Sequence, residues 1–509
     1  MLNEPASRPY EREVIGELPL TPEEQARAQF AHRERRKQQE DPRLAQVREW
    51  VEQVFDIDRE HQPNVDKPAS AMPDASLLPL PDTDPTETVK VDENVAPLVL
   101  NPHSSLLIVF EGRLNRPAEQ AYDELDAQLA ALNLLPLFRE IPASAASTPK
   151  NASPLIEMPV ADPAAAAASR QLIYIVQGRT NPRPRSWVIN AILLVVTLFS
   201  VMFVGMEMAL SEIAHTNILQ ALLLRNNGLG EIWRGLPYAL SIMAILGAHE
   251  LGHYFAARRH KIAVTLPYFI PFPGGLFGTF GAFIQLRQPI KNRRMLLEIG
   301  AAGPLAGLVF AVPILLVGLA TSLVEPPSVG GLTEGNSILY ALAKILIFGE
   351  FLPNGQVDVL VNQLAWAGWT GLFVTGLNLI PIGQLDGGHV LYSLVGQRAR
   401  MFYYPVMGAL VLLMIFSGGS LFVMILLLLF LGRSYAVPLE DITPLSANHR
   451  RLAIFTLVVF VLVFVPIPLS ANMAGPSGAP GASGSAMLLP LIVAAGLSLV
   501  QRLRCWLGR

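Results

Sequence analysis

Cysteine is almost absent from this chain of 509 residues, in which Cys505 is the single example. One thiol cannot build a disulfide framework, and it cannot supply the several thiolates of a structural zinc site. The sequence therefore excludes a small disulfide-stapled fold and a zinc finger. The cysteine count leaves the redox compartment open.

Charged residues are also scarce, since they make up 16% of the chain against 51% of hydrophobic residues. Soluble domains carry about 25% charged residues. The net charge of −3 offers no basic domain that could neutralise phosphates, so nucleic acid is not expected as a partner. Because the apolar residues come in long blocks, the composition predicts a membrane protein with the lipid bilayer around it.

The N-terminal part of the chain differs from the rest in composition. Residues 1–95 are polar and rich in proline, which predicts disorder with one helix near Pro42–Phe55. The first twenty residues contain several glutamates and no apolar run, so neither a secretory signal nor a transit peptide is expected there. Residues 96–178 are predicted to form a small α/β cytosolic domain. Its expected elements are strands at Leu106–Phe110, Leu134–Arg139 and Gln171–Val176, a helix at Pro117–Leu132 and a floppy insertion at Pro142–Ser169.

From Trp187 onward the chain has the pattern of membrane-spanning helices, each of which needs about 20 apolar residues. We assign residues 187–400 to a membrane core and residues 401–509 to accessory C-terminal spans. The fold class is thus an all-α polytopic membrane protein of about eight spans. The expected spans are Trp187–Leu210, Leu236–Ala257, Leu296–Leu323, Val359–Ile380, Phe402–Phe416, Leu421–Leu431, Leu452–Ile467 and Met487–Val500.

Basic residues next to the spans predict the orientation, because such residues are enriched in cytoplasmic loops. The clusters near Arg179, Arg258, Arg293 and Arg398 fall on one side if each of the first four spans crosses once. A break at residues 417–420 then predicts a helical hairpin that returns the following basic residues to the cytosol. The expected result is a multi-pass protein with both termini cytosolic.

The second expected span contains the sequence His249-Glu250-Leu251-Gly252-His253. Positions i and i+4 share one helix face, so the two imidazoles can converge on one metal ion with Glu250 beside it. Histidine and glutamate are costly inside a membrane and are there functional by default. The alternative interpretation is a polar contact between helices.

A catalytic zinc ion commonly takes three protein ligands, and Asp386 is the candidate for the third. It follows Asn378 and Pro381 at the end of the fourth expected span, where proline and several glycines are expected to unwind the helix. The predicted topology puts Asp386 at the same depth as His249 and His253.

These two motifs together resemble the site-2 protease family of intramembrane zinc metalloproteases. Further similarity lies in Gly278–Ala282 and in the glycine-rich stretch Gly300–Gly307. The small α/β unit before the first span resembles the branch with the plant chloroplast gravitropism-deficient proteins and their bacterial relatives. The resemblance covers roughly residues 100–400.

The resemblance implies His249, His253 and Asp386 as ligands of one Zn²⁺ per chain, and Glu250 as the catalytic base. It also implies a metalloendopeptidase that cleaves transmembrane protein substrates within or near their spans, in regulated proteolysis.

A substrate helix already satisfies its own amides, so it must unwind and find new backbone partners before it can be cut. Residues Gly275–Leu286 are predicted to form a re-entrant β-hairpin whose edge pairs with an extended substrate. The candidate substrate-binding residues are Gly278, Thr279, Phe280, Gly281 and Asn378. The hairpin stretch could instead be a cytosolic loop, and Asn378 could bond a neighbouring helix.

Three other functions remain open at this point. A protease of the CAAX-processing type would take a downstream glutamate as third ligand, for which Glu298 is the candidate. A metal-binding transporter would line an ion path with His249, Glu250 and His253, although no inverted repeat is visible. A pseudoprotease would bind client helices without cutting them.

The pair Gly303 and Gly307 is interpreted as a packing feature that lets helices approach one another closely.

Overall fold

A computed structural model describes residues 42–61, 77–79, 88–90, 106–141, 170–180, 182, 185–326, 332–354, 356–416, 419 and 421–471. The chain divides into two compact units, residues 1–55 and 56–509. In the first unit the described residues form helix α1 (Pro42–Glu52), which buries Val47 and Val51. The insertion Pro142–Ser169 and the expected span Met487–Val500 lie outside the described residues.

A four-stranded sheet with the strand order β1–β4–β6–β5 precedes the membrane part. Its strands are β1 (Phe55–His61), β4 (Leu106–Leu114), β5 (Leu134–Ile141) and β6 (Arg170–Gln177), and a separate pair is formed by β2 (Leu77–Pro79) and β3 (Thr88–Lys90). Strand β6 pairs antiparallel with both β4 and β5. Helix α2 (Ala118–Leu129) buries Ala121, Tyr122 and Leu125.

The three strands expected in residues 96–178 are therefore present, but the sheet has a fourth strand before them. The prediction of disorder for residues 1–95 is wrong for strand β1 and for the paired strands β2 and β3. The sequence of β1, FDIDREH, is mostly charged and has apolar side chains at only two positions. It therefore lacks the apolar pattern from which a strand is predicted, although β1 pairs with β4 in the sheet.

The membrane part is built from helices. They are α3 (Val188–Thr216), α4 (Ile218–Asn226), α5 (Leu236–Arg259), α6 (Arg293–Ala320), α7 (Ile338–Phe348), α8 (Gln363–Asn378), α9 (Asp386–Val395), α10 (Tyr403–Phe416), α11 (Phe422–Leu431) and α12 (Ala447–Val463). Helices α5, α6 and α8 pack against one another around Ile245, Leu315 and Trp369, which are almost completely buried. These three packed helices form the core of the membrane part.

Between α5 and α6 the chain forms an antiparallel hairpin of β7 (Tyr268–Pro271) and β8 (Thr279–Phe283). A β-hairpin is thus observed, but only β8 lies within the predicted stretch Gly275–Leu286, and the first strand β7 precedes it. Its tip packs on α3, because Ser200 Oγ donates to the Gly278 carbonyl at 2.5 Å. On the other side, the Tyr238 hydroxyl of α5 donates to the Phe277 carbonyl at 3.0 Å.

The region between α6 and α8 also has structure of its own. It contains β9 (Leu323–Glu325), which pairs with β11 (Asp358–Leu360), and β10 (Leu332–Glu334), which pairs with β12 (Leu469–Ala471). Lys344 of α7 is fully buried and contacts the carboxylates of Glu334 at 3.1 Å and Asp358 at 3.4 Å.

Among the described residues, three helical segments are long and apolar enough to cross a membrane, namely Val188–Thr216, Arg293–Ala320 and Asp386–Ile415. Helix α5 is not among them, because its sequence includes the polar motif and ends in arginines. Helices α10 and α11 pack together through Met407, Leu410 and Ile425. Helix α10 ends at Phe416 and α11 begins at Phe422, on either side of the predicted break. The total of eight spans and their sidedness stay predictions.

Candidate metal centre

His249 and His253 lie one turn apart on the buried face of α5, with exposed fractions of 4% and 7%. His253 Nδ1 lies 2.7 Å from the carbonyl oxygen of Ile299 in α6. A carbonyl oxygen only accepts hydrogen bonds, so Nδ1 carries the proton and Nε2 presents its lone pair. The contact with Ile299 therefore fixes the His253 tautomer that a metal ion needs.

Asp386 completes a group of three side chains whose potential ligand atoms converge. The two Nε2 atoms of His249 and His253 are 3.2 Å apart, and each lies 3.3 Å from Asp386 Oδ2. A tetrahedron with donors about 2.0 Å from its centre has edges of about 3.3 Å. The three distances fit one face of such a tetrahedron, so the donor set suits a zinc ion.

Asp386 is brought to the histidines by a change of chain direction between α8 and α9. Residues 379–385 leave the helical conformation, as the proline and glycines predicted, and α9 begins at Asp386 itself. Gly387 lies against the backbone of this connection, because a Cβ atom there would be 1.9 Å from the Leu379 carbonyl oxygen. The sequence therefore predicted the unwinding but missed the short helix that follows it.

Glu250 lies next to His249 on α5 with 7% of its surface exposed. Its carboxylate accepts a hydrogen bond from the backbone N–H of Ile284, the residue that follows β8. The hairpin thus directly touches the carboxylate beside the three-ligand group.

Asn378, the last residue of α8, also lies at the centre. Its side-chain Nδ2 is 3.3 Å from His249 Nε2. The amide therefore faces the same space as the three ligand atoms. The sequence analysis named this residue but had no means to place it beside a histidine.

The four hairpin residues named as substrate contacts differ in what surrounds them. Within the hairpin, the Thr279 hydroxyl donates a hydrogen bond to the Ile270 carbonyl at 2.8 Å. Gly278 packs on α3. The Phe280 ring stacks on Phe272 with a centroid distance of 4.1 Å. At Gly281 an added Cβ atom would meet nothing within 4 Å, so there is open space beside this residue.

Gly303 and Gly307 of α6 lie next to the side chains of His253 and His249, respectively. A Cβ atom at Gly303 would be 2.1 Å from His253 Nε2, and one at Gly307 would be 3.3 Å from His249 Cβ. The sequence analysis interpreted them as packing residues and missed their contact with the site. A helical pattern of glycines cannot show which side chain fills the space they leave.

Glu298, the alternative third ligand, lies elsewhere in the structure. Its two carboxylate oxygens are bonded to His260 at 2.8 Å and to His449 and Arg294 at 2.9 Å each. These partners come from the end of α5, the start of α12 and α6 itself. Glu298 thus joins three helices and is not part of the His249–His253–Asp386 group.

The buried His249 and His253 and the partly buried Asp386 thus form a group with the donor spacing of a metal centre. Residues 237–425 match the profile of Peptidase family M50. This part of the chain thus carries an M50 domain.

The chain is also similar to curated plant proteins. It is 34% identical over 244 residues to "Probable zinc metalloprotease EGY2, chloroplastic" of Arabidopsis thaliana, a match that covers 46% of this chain and 42% of that protein. The corresponding values for EGY1 of the same plant are 32% over 246 residues, with 46% and 43% covered. The chain therefore spans less than half the length of these relatives. No solved structure matches it.

Proposed function

We propose that this protein is an intramembrane zinc metalloprotease that hydrolyses peptide bonds within or near the transmembrane helices of membrane-anchored proteins. The observation that carries the proposal is the mutual distance of 3.2–3.3 Å between His249 Nε2, His253 Nε2 and Asp386 Oδ2, with a buried glutamate beside them. The M50 profile and the zinc metalloprotease relatives support the same chemistry. The chain would be multi-pass, with both termini cytosolic.

His249, His253 and Asp386 would hold one Zn²⁺ per chain through the three atoms described above. When bound, the ion polarises the scissile carbonyl and makes a nucleophile available at neutral pH. The protein's contribution is to hold the three ligand atoms in position before the ion binds. His253 is fixed by Ile299, and both rings lie on the same face of a packed helix.

Glu250 is the general base in this proposal. It removes a proton from the attacking water as the new carbon–oxygen bond forms, and it later delivers that proton to the leaving nitrogen as the peptide bond breaks. The hydrogen bond from the Ile284 N–H would help to hold this carboxylate in place.

The substrate is proposed to bind as an extended strand along β8. Among the described residues β8 pairs only with β7, so its second edge can accept a further strand. Gly281 is the position with room for a closely approaching backbone, and Phe280 stiffens the hairpin by its stack on Phe272. Gly278 and Thr279 serve this binding indirectly by shaping the turn.

Asn378 is proposed to donate from its amide to the carbonyl oxygen of the bond under attack. Its Nδ2 is near the ligand atoms, where negative charge develops on that oxygen. A donor held in place by helix α8 requires no reorganisation during the reaction.

The proposal is tested with Glu250→Gln in full-length protein reconstituted into liposomes with a panel of single-span peptides. The parent should cleave members whose spans contain helix-destabilising residues, and Glu250→Gln should retain zinc but lose cleavage by about 10²–10⁴-fold. Undiminished cleavage by Glu250→Gln would contradict the mechanism. A zinc-loaded parent that binds peptides but cuts none would indicate the pseudoprotease instead.

A further inference from the structure

The soluble sheet and the membrane part share a short β-junction. The segment Leu439–Asp441 lies between strand β5 and residues 290–292, which precede α6. On one side, the Phe138 N–H donates to the Leu439 carbonyl at 2.9 Å, and the Asp441 N–H donates to the Phe138 carbonyl at 3.2 Å. On the other side, the Leu439 and Glu440 N–H groups donate to Ile290 and Lys291 carbonyls at 2.9 and 2.7 Å.

Side chains strengthen this junction from the sheet side. Arg139, which is 3% exposed, donates from Nη1 to the Leu439 carbonyl at 2.9 Å. Lys291 forms an ion pair with Asp123 of α2. The segment Leu439–Asp441 is therefore held in register by the sheet on one side and by the chain entering α6 on the other.

Asp441 connects the β-junction to α9, the helix that begins with Asp386. Its side chain is 3% exposed, and both of its oxygens are used. Oδ1 accepts from Arg293 Nε at 2.7 Å, and Oδ2 accepts from the Tyr392 hydroxyl at 2.8 Å. Tyr392 is fully buried in α9, six positions after Asp386.

The end of α9 is fixed by the same pair of residues. The Arg293 guanidinium also donates to the Asp441 carbonyl at 2.8 Å. It lies against Gly396, where an added Cβ atom would be 2.6 Å from Arg293 Nη2. The last turn of α9 therefore rests on the Arg293–Asp441 ion pair, while its first turn holds a candidate metal ligand.

Rotation of a helix about its axis moves every side chain on it. For an atom about 6 Å from the axis, a rotation of about 10° gives a displacement of about 1 Å. Metal and catalytic groups must be held within about 0.5 Å. A single hydrogen bond at Tyr392 that stops this rotation would thus act on the position of Asp386.

We infer that Asp441 is a positioning residue for the candidate metal ligand Asp386, acting through the hydroxyl of Tyr392, and that it connects the soluble sheet to the metal centre. This inference rests on the proposed function. It assigns to Asp441 and Tyr392 a part in metal affinity that neither their sequence neighbourhood nor their distance from the histidines indicates.

The test compares Tyr392→Phe with Tyr340→Phe in full-length, detergent-solubilised protein. Tyr340 is a matched control, because it is fully buried, its hydroxyl donates to the carboxylate of Glu334 at 2.8 Å, and its helix α7 holds no residue of the metal centre. Zinc dissociation constants are measured by competition with a chelating dye, with thermal unfolding in parallel. The visible spectrum of Co²⁺-substituted protein reports ligand geometry.

The zinc dissociation constant of Tyr392→Phe should rise about 10-fold, with a changed Co²⁺ spectrum, whereas Tyr340→Phe should stay within about twofold of the parent. Asp441→Ala should raise the zinc dissociation constant at least as much as Tyr392→Phe, because it also removes the partner of Arg293. The double variant should lose no more than Asp441→Ala, and Asp441→Asn should lose less than Asp441→Ala because its amide oxygen still accepts.

Equal zinc affinities and spectra in Tyr392→Phe and Tyr340→Phe would overturn the inference. A parent that binds zinc and loses it in Asp386→Ala would still uphold the proposed metal centre in that case. A parent that binds no zinc would remove both.

Discussion

Gly303 of α6 lies directly against the imidazole of His253, so closely that a Cβ atom would come within 2.1 Å of Nε2. Real Cβ atoms do not approach other atoms to that distance, and His253 is held from its other nitrogen by Ile299 at 2.7 Å. Position 303 therefore has no room for any side chain larger than that of glycine as long as His253 keeps its place in the metal centre.

We expect Gly303→Ala to lose zinc, because the methyl group displaces the His253 ring from the other two ligands. Zinc content per chain measured by atomic emission tests this. Gly247→Ala is the control, since Gly247 lies on α5 with nothing within 4 Å of an added Cβ atom. Full zinc occupancy in Gly303→Ala would show that the His253 ring can move without cost.

Asn378→Ala is expected to retain zinc and to lower kcat by about 10²–10³-fold, the usual loss when one oxyanion donor is removed. The reason is that its amide faces the ligand atoms without being one of them. Steady-state cleavage and zinc content are measured on the same samples. Loss of zinc in Asn378→Ala would instead assign the residue to the support of His249.

Lys344→Met is expected to lower the free energy of unfolding by about 3–5 kcal/mol, because it leaves Glu334 and Asp358 as buried carboxylates without their cation. Denaturant unfolding in detergent measures the change. The double variant Lys344→Met/Glu334→Gln should recover part of the loss. A single variant as stable as the parent would mean that water reaches this cluster.

The local patterns in the sequence predicted the parts of the site that depend on helix periodicity. His249 and His253 share a helix face because their spacing is one turn, and Pro381 with its glycines ends α8 before Asp386. Both features follow from short-range geometry.

Other features depend on contacts between distant segments, which no local pattern specifies. The fit of Gly303 to His253 requires the crossing of α5 and α6, and the Phe138–Glu440 pairing joins residues about 300 positions apart. Strand β1 was missed because its charged sequence resembles a loop, and it gains its partner β4 only after a gap of more than forty residues.

Zinc content per chain tests the central claim most directly, in detergent-purified protein prepared without chelators. The account predicts one zinc in the parent and in Glu298→Gln, and loss of zinc in both His249→Ala and Asp386→Ala. Zinc retained in Asp386→Ala, or lost in Glu298→Gln with Asp386 intact, would contradict the assignment of the third ligand.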